Sequence, residues 1–256
     1  MVKVCALASS SSGNSLFVGT DRTRVLIDAG LSRRETFLRL EKIGEDPAKL
    51  TAVLLTHEHC DHIAGLIPIL RKLKIPVYAT HLTAPAISWD GFAPRLETFQ
   101  AGTRFQVGDL EIQSFTIPHD AIDPVGYTVK AQGVKVGLAT DLGYMPESIC
   151  HHLRSSHFLL LESNHDLDML KVGPYPWSVK QRVMSRRGHL SNEVVSTFIQ
   201  EHLDSTTATL VLGHLSEHNN HPEIVRITAA QALEGRGLRP QLVVAEPRSQ
   251  SDPFLF

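Results

Sequence analysis

The chain has 256 residues, of which 42% are hydrophobic and 20% charged, and its formal net charge is −2. This composition has room for one large α/β core, and it excludes a disordered or fibrous chain and a globally basic nucleic-acid binder. No stretch nears the roughly 20 apolar residues of a bilayer span, so no membrane attachment is expected. Cys5, Cys60 and Cys150 are too few and too scattered for a disulfide framework, and residues 1–8 read as a strand rather than a signal peptide. The expected compartment is the cytoplasm. The 14 histidines direct the search toward a metal or acid–base site.

In chain order, residues 2–8, 16–18, 25–28 and 52–56 read as strands from their apolar, β-branched content and turn flanks. Ser32-Arg33-Arg34-Glu35 fits a capping box, opening a helix through Phe37, Leu38 and Ile43 that stops at Gly44. A second helix is expected from near His62, with Leu66, Ile67, Leu70 and Leu73 on one face and Pro68 near its start. Strands follow at 110–117, 126–131, 134–139 and 158–162, then helices at 192–203 and 222–234, with strands at 208–212 and 241–245. Two similar batches of strands and helices suggest two packed sheets with helices outside.

The chemistry begins where the strand at 52–56 ends, in His57-Glu58-His59-Cys60-Asp61-His62. His57 and His59, two apart in extended chain, point the same way, while Glu58 and Cys60 point away from them. Asp61 and His62 sit at a turn entering a helix. Four N/O ligands in six residues can serve two adjacent cations, His57 and His59 on one, Asp61 and His62 on the other. The plain alternative is a solvated polar loop, and the density of ligand types directly after a buried strand weighs against it.

This spacing resembles the signature of the metallo-β-lactamase superfamily. The resemblance implies a single domain over residues 1–256 with an α/β, αββα four-layer sandwich of two mixed β-sheets. It also implies where the remaining ligands lie: His119 after Phe115-Thr116-Ile117-Pro118, a bridging Asp141 after Ala139-Thr140, and His214 after Leu212-Gly213. Ser11-Ser12-Gly13-Asn14-Ser15, Leu26-Ile27-Asp28-Ala29-Gly30, His119-Asp120-Ala121 and Gly188-His189-Leu190-Ser191-Asn192 are similar to the YycJ/WalJ group. That group is described as exonuclease-like, acting on DNA from the 5′ end. Gly188-His189-Leu190-Ser191 also resembles a motif of tRNA 3′-processing ribonucleases of this fold, but an obvious long arm for tRNA is missing here.

The implied cofactors are two divalent cations, zinc or manganese. Set about 3.5–4 Å apart, they can hold a bridging hydroxide and polarise a phosphoryl oxygen. Asp61 is expected both to bind a metal and to orient the nucleophile. His189 is expected to stabilise phosphate charge or protonate the leaving group, against a reading as an exposed residue at a helix start. Asp28 is expected to orient a ligand histidine, with a turn role open beside it. Asn14, His165, Lys180 and Arg182 are candidates for substrate contact; each also has a structural or surface reading. Arg186 and Arg187 extend the basic stretch, and Tyr175 and Trp177 can stack on a base or pack their loop. The remaining histidines are expected at the surface or as caps. The function expected is a metal-dependent phosphodiesterase, and the resemblance implies a DNA exonuclease acting from the 5′ end, with DNA favoured over RNA. A small-molecule hydrolase of thioesters, lactones or cyclic phosphates, and a metal-dependent interaction module, are the alternatives.

Overall fold

Strand periodicity divides the hydrophobic residues among three cores, and that division sets the architecture. The computed structural model describes residues 1–246 and 249–256. One sheet is built from β1 (Lys3–Ser10), β2 (Gly13–Gly19), β3 (Arg24–Ile27), β4 (Ala52–Leu54), β5 (Val77–Thr80) and β6 (Leu96–Phe99). The other contains β7 (Arg104–Val107), β8 (Leu110–Thr116), β9 (Val125–Ala131), β10 (Val134–Ala139), β11 (Phe158–Glu162), β12 (Thr209–Gly213) and β13 (Gln241–Val244). The short β14 (Phe254–Leu255) returns to the first sheet beside β1. Both sheets have seven strands and both are mixed. The first is antiparallel from β14 to β3 and parallel from β3 to β6. The second is antiparallel from β7 to β10 and parallel from β10 to β13.

Successive strand residues face opposite sides of a sheet. From β1, Val4 and Ala6 enter the core between the sheets, while Cys5 and Leu7 face outward. From β11, Phe158 and Leu160 face inward and Leu159 and Leu161 outward. Every residue of β11 is buried, as expected of a parallel strand covered on both faces. The helices are α1 (Arg33–Lys42), α2 (Cys60–Ile63), α3 (Leu66–Leu73), α4 (Thr83–Ala86), α5 (Glu147–Leu153), α6 (Leu167–Val172), α7 (Trp177–Val183), α8 (Asn192–Glu201) and α9 (Pro222–Gly235). Leu40, Leu66, Ile69 and Leu70 from α1 and α3 cover the first sheet. Ile149, Phe198, Ile199 and Val225 from α5, α8 and α9 cover the second. The layers are therefore helix, sheet, sheet, helix. Buried Tyr127 of β9 joins the sheets by donating to the Leu55 carbonyl at 2.6 Å. No helix among the described residues is long and apolar enough to cross a membrane.

Three local expectations change. The helix expected from His62 is two, α2 and α3, broken at Gly65, where a Cβ would lie 1.9 Å from the Leu31 carbonyl oxygen. The break rotates the second piece, so Ile69 enters the core and Ile67 stays half-buried. Ser32 does cap α1 by accepting from Glu35 N, but the Glu35 carboxylate pairs with Arg39 at 2.7 Å instead of closing the box. The edge strands β6 and β7 escape the sequence pattern because half their residues face water.

Gly30 governs how the first sheet meets the histidine-rich turn. Its N–H donates to the Asn14 carbonyl, and a Cβ there would stand 1.8 Å from the Asp61 carbonyl oxygen and 2.5 Å from Asn14 N. Gly30→Ala is expected to destabilise the protein by about 3 kcal/mol in urea denaturation, at the upper end of ordinary overpacking costs. Gly235→Ala, where a Cβ meets no atom within 4 Å, serves as the control and should be neutral or slightly stabilising.

Candidate metal centre

The strand ends of both sheets converge on one edge of the sandwich. The segment after β4 brings His57, His59, Asp61 and His62; the turns after β8, β10 and β12 bring His119, Asp141 and His214. Ligand atoms of His57, His59 and His119 lie within 4.8 Å of one another, as do those of Asp61, His62 and His214, and those of His57, His62 and Asp141. His119 Nε2 is 3.4 Å from His59 Nδ1. Asp141 adjoins both groups: Oδ2 is 3.4 Å from His62 Nε2, and Oδ1 is 3.6 Å from His214 Nδ1 and 3.8 Å from His119 Nε2. All seven expected ligands are thus in one place. Asp141 and His214 adopt left-handed backbone conformations, φ 64° and 56°, as does Asp28 at 64°. Such conformations are costly for non-glycine residues, and here each turns a side chain sharply at a strand end.

The imidazoles are oriented by hydrogen bonds on their far nitrogens. Asp28 accepts from His62 Nδ1 at 2.8 Å and is itself held by Thr56 N and Thr56 Oγ1, each at 2.8 Å. Because the Thr56 hydroxyl donates to Asp28, it accepts from His57 Nδ1 at 3.0 Å. His119 Nδ1 faces the Gly188 carbonyl at 3.3 Å. Each bond places the proton on the nitrogen away from the cluster and leaves the other lone pair directed inward.

Glu162 has the same part in the second sheet, and sequence reasoning missed it. Wholly buried at the end of β11, it accepts at Oε1 from His214 Nδ1 at 2.9 Å and His189 Nδ1 at 2.6 Å. Its Oε2 accepts from Leu142 N at 2.9 Å and Leu190 N at 3.2 Å. The available signal is an acid closing an apolar strand, Leu159-Leu160-Leu161-Glu162, as Asp28 closes Val25-Leu26-Ile27.

Burial opposes ionisation of Asp141, yet His214, His62, His57 and His119 around it hold its carboxyl well below the usual range. Burial also disfavours charge on His214, but Asp141, Asp61 and Glu162 outweigh it and push its pKa up to about 10. Burial lowers His57 well below the ordinary imidazole value, and the neighbouring His62 adds to this. His57 Nε2, His214 Nε2 and Asp141 Oδ2 are buried with no hydrogen-bond partner among the described residues. Orphaned buried polar atoms are rare and costly, and cations held by the two ligand groups would satisfy them. The donor set of imidazole and carboxylate fits zinc or manganese. The residues present therefore fit the metal group implied by the resemblance.

The remaining candidates separate. Asn14 is buried, with its amide nitrogen 3.2 Å from Asp61 Oδ2 and 3.0 Å from His62 Nε2. It braces the cage rather than facing outward. Glu58 accepts from Ile122 N at 2.9 Å, and Cys60 is exposed; neither joins the ligand groups. His165 is buried, with Nδ1 lacking a partner among the described residues, so the surface reading does not describe it. His189 precedes α8, whose cap is Ser191, and its Nδ1 is committed to Glu162. The basic stretch does not act as a block. Lys180 is buried and donates to the Lys171 carbonyl, Arg186 lies over the Tyr144 ring at 4.3 Å, and Arg187 donates to the His119 carbonyl at 3.2 Å. Arg182 donates to Asp120. Tyr175 meets the edge of His218, and Trp177 is 64% exposed.

Comparison with known proteins agrees with this geometry. A family model described as the beta-lactamase superfamily domain matches residues 23–215. Exodeoxyribonuclease YycJ of Bacillus anthracis is 38% identical over 234 residues, covering 90% of this chain and 89% of that one. Exodeoxyribonuclease WalJ of Streptococcus pneumoniae is 36% identical over 236 residues, covering 90% and 88%. Among solved structures, the metallo-beta-lactamase fold protein YhfI from Bacillus subtilis superposes with a TM-score of 0.72 at 18% identity, over 98% of this chain and 99% of that one. The chain belongs to the metallo-β-lactamase superfamily and, within it, to the group of YycJ and WalJ.

Proposed function

We propose that this protein is a metal-dependent phosphodiesterase that removes nucleotides from the 5′ end of DNA. The observation that carries the reading is the convergence of two three-residue ligand groups on Asp141, with the Glu162–His189 pair alongside. The names of the similar YycJ and WalJ proteins, exodeoxyribonucleases, support DNA as substrate. His57, His59 and His119 would hold one divalent cation and Asp61, His62 and His214 a second, with Asp141 shared; zinc and manganese both suit these donors. When bound, such cations acidify water and offset the negative charge of a reacting phosphodiester. Residues 1–256 would form one catalytic domain, since Val2 and Phe254 enter the same core. We place the enzyme in the cytoplasm, where the unpaired Cys5, Cys60 and Cys150 remain thiols.

The chain's own groups divide the work. Asp61, held by the Asn14 amide, orients the attacking water. His189 carries a proton on Nδ1 toward Glu162. Burial works against its charge, yet Glu162 and Asp141 raise its pKa above the ordinary imidazole value. The protonated ring thus offers its second N–H to the leaving oxygen. Glu162 is a positioning residue that aligns His189 and His214 together.

Metal-loaded protein is expected to release nucleotides from 5′-labelled duplex DNA, and Asp61→Ala/His62→Ala protein should release none. Intact DNA despite confirmed metal occupancy would shift the assignment to a small-molecule hydrolase of the same fold. His189→Ala should lower kcat by roughly 10²–10⁴-fold with metal content unchanged, as for loss of a general acid. Glu162→Gln should lower kcat and also weaken metal binding by about 10–100-fold, since it supports a ligand as well; metal titration with both variants separates the two roles. Chelation should lower the Tm of the wild type, because a ligand bound to the folded state alone stabilises it. A Tm unmoved by chelator and restored metal would argue against the cage.

A further inference from the structure

We propose that Asp120 and Arg182 form a phosphate clamp at the rim of the metal centre, with Arg182 the contacting residue and Asp120 the positioning residue. The inference rests on the phosphodiesterase reading and names the groups that would hold the substrate's backbone. Asp120 directly follows His119, and its Oδ1 lies 3.3 Å from His119 Nε2. That spacing matches the 3.4 Å between His119 Nε2 and His59 Nδ1. The same oxygen is buried and has no hydrogen-bond partner among the described residues. It faces the cage. The other oxygen, Oδ2, accepts from Arg182 Nε at 2.5 Å. A single carboxylate therefore ties a guanidinium to the edge of the site.

The tether is held in place at its base. Ile122 N donates to Glu58 Oε1 at 2.9 Å, and Arg187 Nε donates to the His119 carbonyl at 3.2 Å, so the turn bearing Asp120 is fixed on both sides. The far end remains open. The Arg182 side chain is 66% exposed, and among the described residues Nη1 and Nη2 have no partner. With Nε occupied, these groups present a planar fork suited to two oxygens of one phosphate. Lys180, two residues earlier on α7, cannot share this work because its ammonium is spent on the Lys171 carbonyl. The substrate chemistry that fits is an anionic phosphodiester strand, not a neutral ester or lactone.

The rival reading is an ordinary surface ion pair, which contributes little to stability and would screen Arg182 from phosphate. The two readings differ in sign when Asp120 is removed. We would compare metal-loaded wild type, Arg182→Ala, Asp120→Ala, Asp120→Asn and the double alanine variant. The measurements are kcat and KM on 5′-labelled DNA, metal content, and salt-dependent affinity for phosphorothioate DNA by fluorescence anisotropy. Arg182→Ala is expected to raise KM about tenfold with a smaller effect on kcat, the size of one charged hydrogen-bonding contact. It should also reduce the slope of log affinity against log salt by about 0.9, the loss of one phosphate contact on duplex DNA. Asp120→Ala should reproduce both changes, the double variant should be no worse, and Asp120→Asn should recover most of the loss because its amide oxygen still accepts from Nε. Metal content should be equal throughout. Unchanged or tighter DNA binding in Asp120→Ala, or additive losses in the double variant, would overturn the clamp. So would metal loss in Asp120→Ala with Arg182→Ala silent, which would make Asp120 part of the cage. If the wild type binds DNA but does not cleave it, while the variants still lose slope, the clamp stands and the phosphodiesterase reading falls. If the wild type neither binds nor cleaves DNA, both fall.

Discussion

Ionisable groups buried together at the shared edge of two sheets are the constraint on which this structure turns. His57, His62, His119, Asp141, Glu162 and His214 are all buried. Isolated charges in such a place would neutralise or unfold the site. They persist because each carboxylate is surrounded by imidazoles or backbone N–H groups, and each imidazole has a partner on its outer nitrogen. Among the seven ligand residues, the buried atoms without a hydrogen-bond partner among the described residues are His57 Nε2, His214 Nε2 and Asp141 Oδ2. Those are the atoms that bound cations would complete.

The two sheets solve this problem in the same way. In the first, Asp28 closes β3 and fixes His62. In the second, Glu162 closes β11 and fixes His214, and it takes His189 as well. Both acids end apolar strands, and both are saturated by neighbouring backbone or hydroxyl donors. The sandwich core sets their spacing. Because alternate residues of β3, β4, β11 and β12 are locked into opposite hydrophobic layers, a one-residue slip of any strand would send its terminal side chain to the wrong face. Core packing and site geometry are therefore one requirement rather than two.

The surroundings are less uniform. On the first-sheet side, Asn14 and Gly30 press the β1–β2 turn against Asp61 so closely that no side chain fits at Gly30. On the second-sheet side, the exposed Arg182 of α7 is tied through Asp120 to the edge of the site. The cage is thus tightly backed on one side and has an exposed cation at its edge on the other.

Local sequence determined the strands with strong periodicity and the ligand-bearing turn from His57 to His62, because ligand spacing and side-chain alternation act over a few residues. His119, Asp141 and His214 became legible through family resemblance, since no local rule connects positions so far apart. Glu162 and Asp120 carry no local signature of a role. A lone acid after an apolar run has many uses, and its partners here stand 27, 52 and 62 residues away. The basic stretch from Lys180 to Arg187 looked uniform as sequence, yet folding gave its four cations four different partners. Composition and spacing therefore decided which elements could exist and which residue types could bind a metal. Only the tertiary structure decided which nitrogen faces inward and which acid orients which ring, because those depend on contacts between strand ends that meet when two sheets pack.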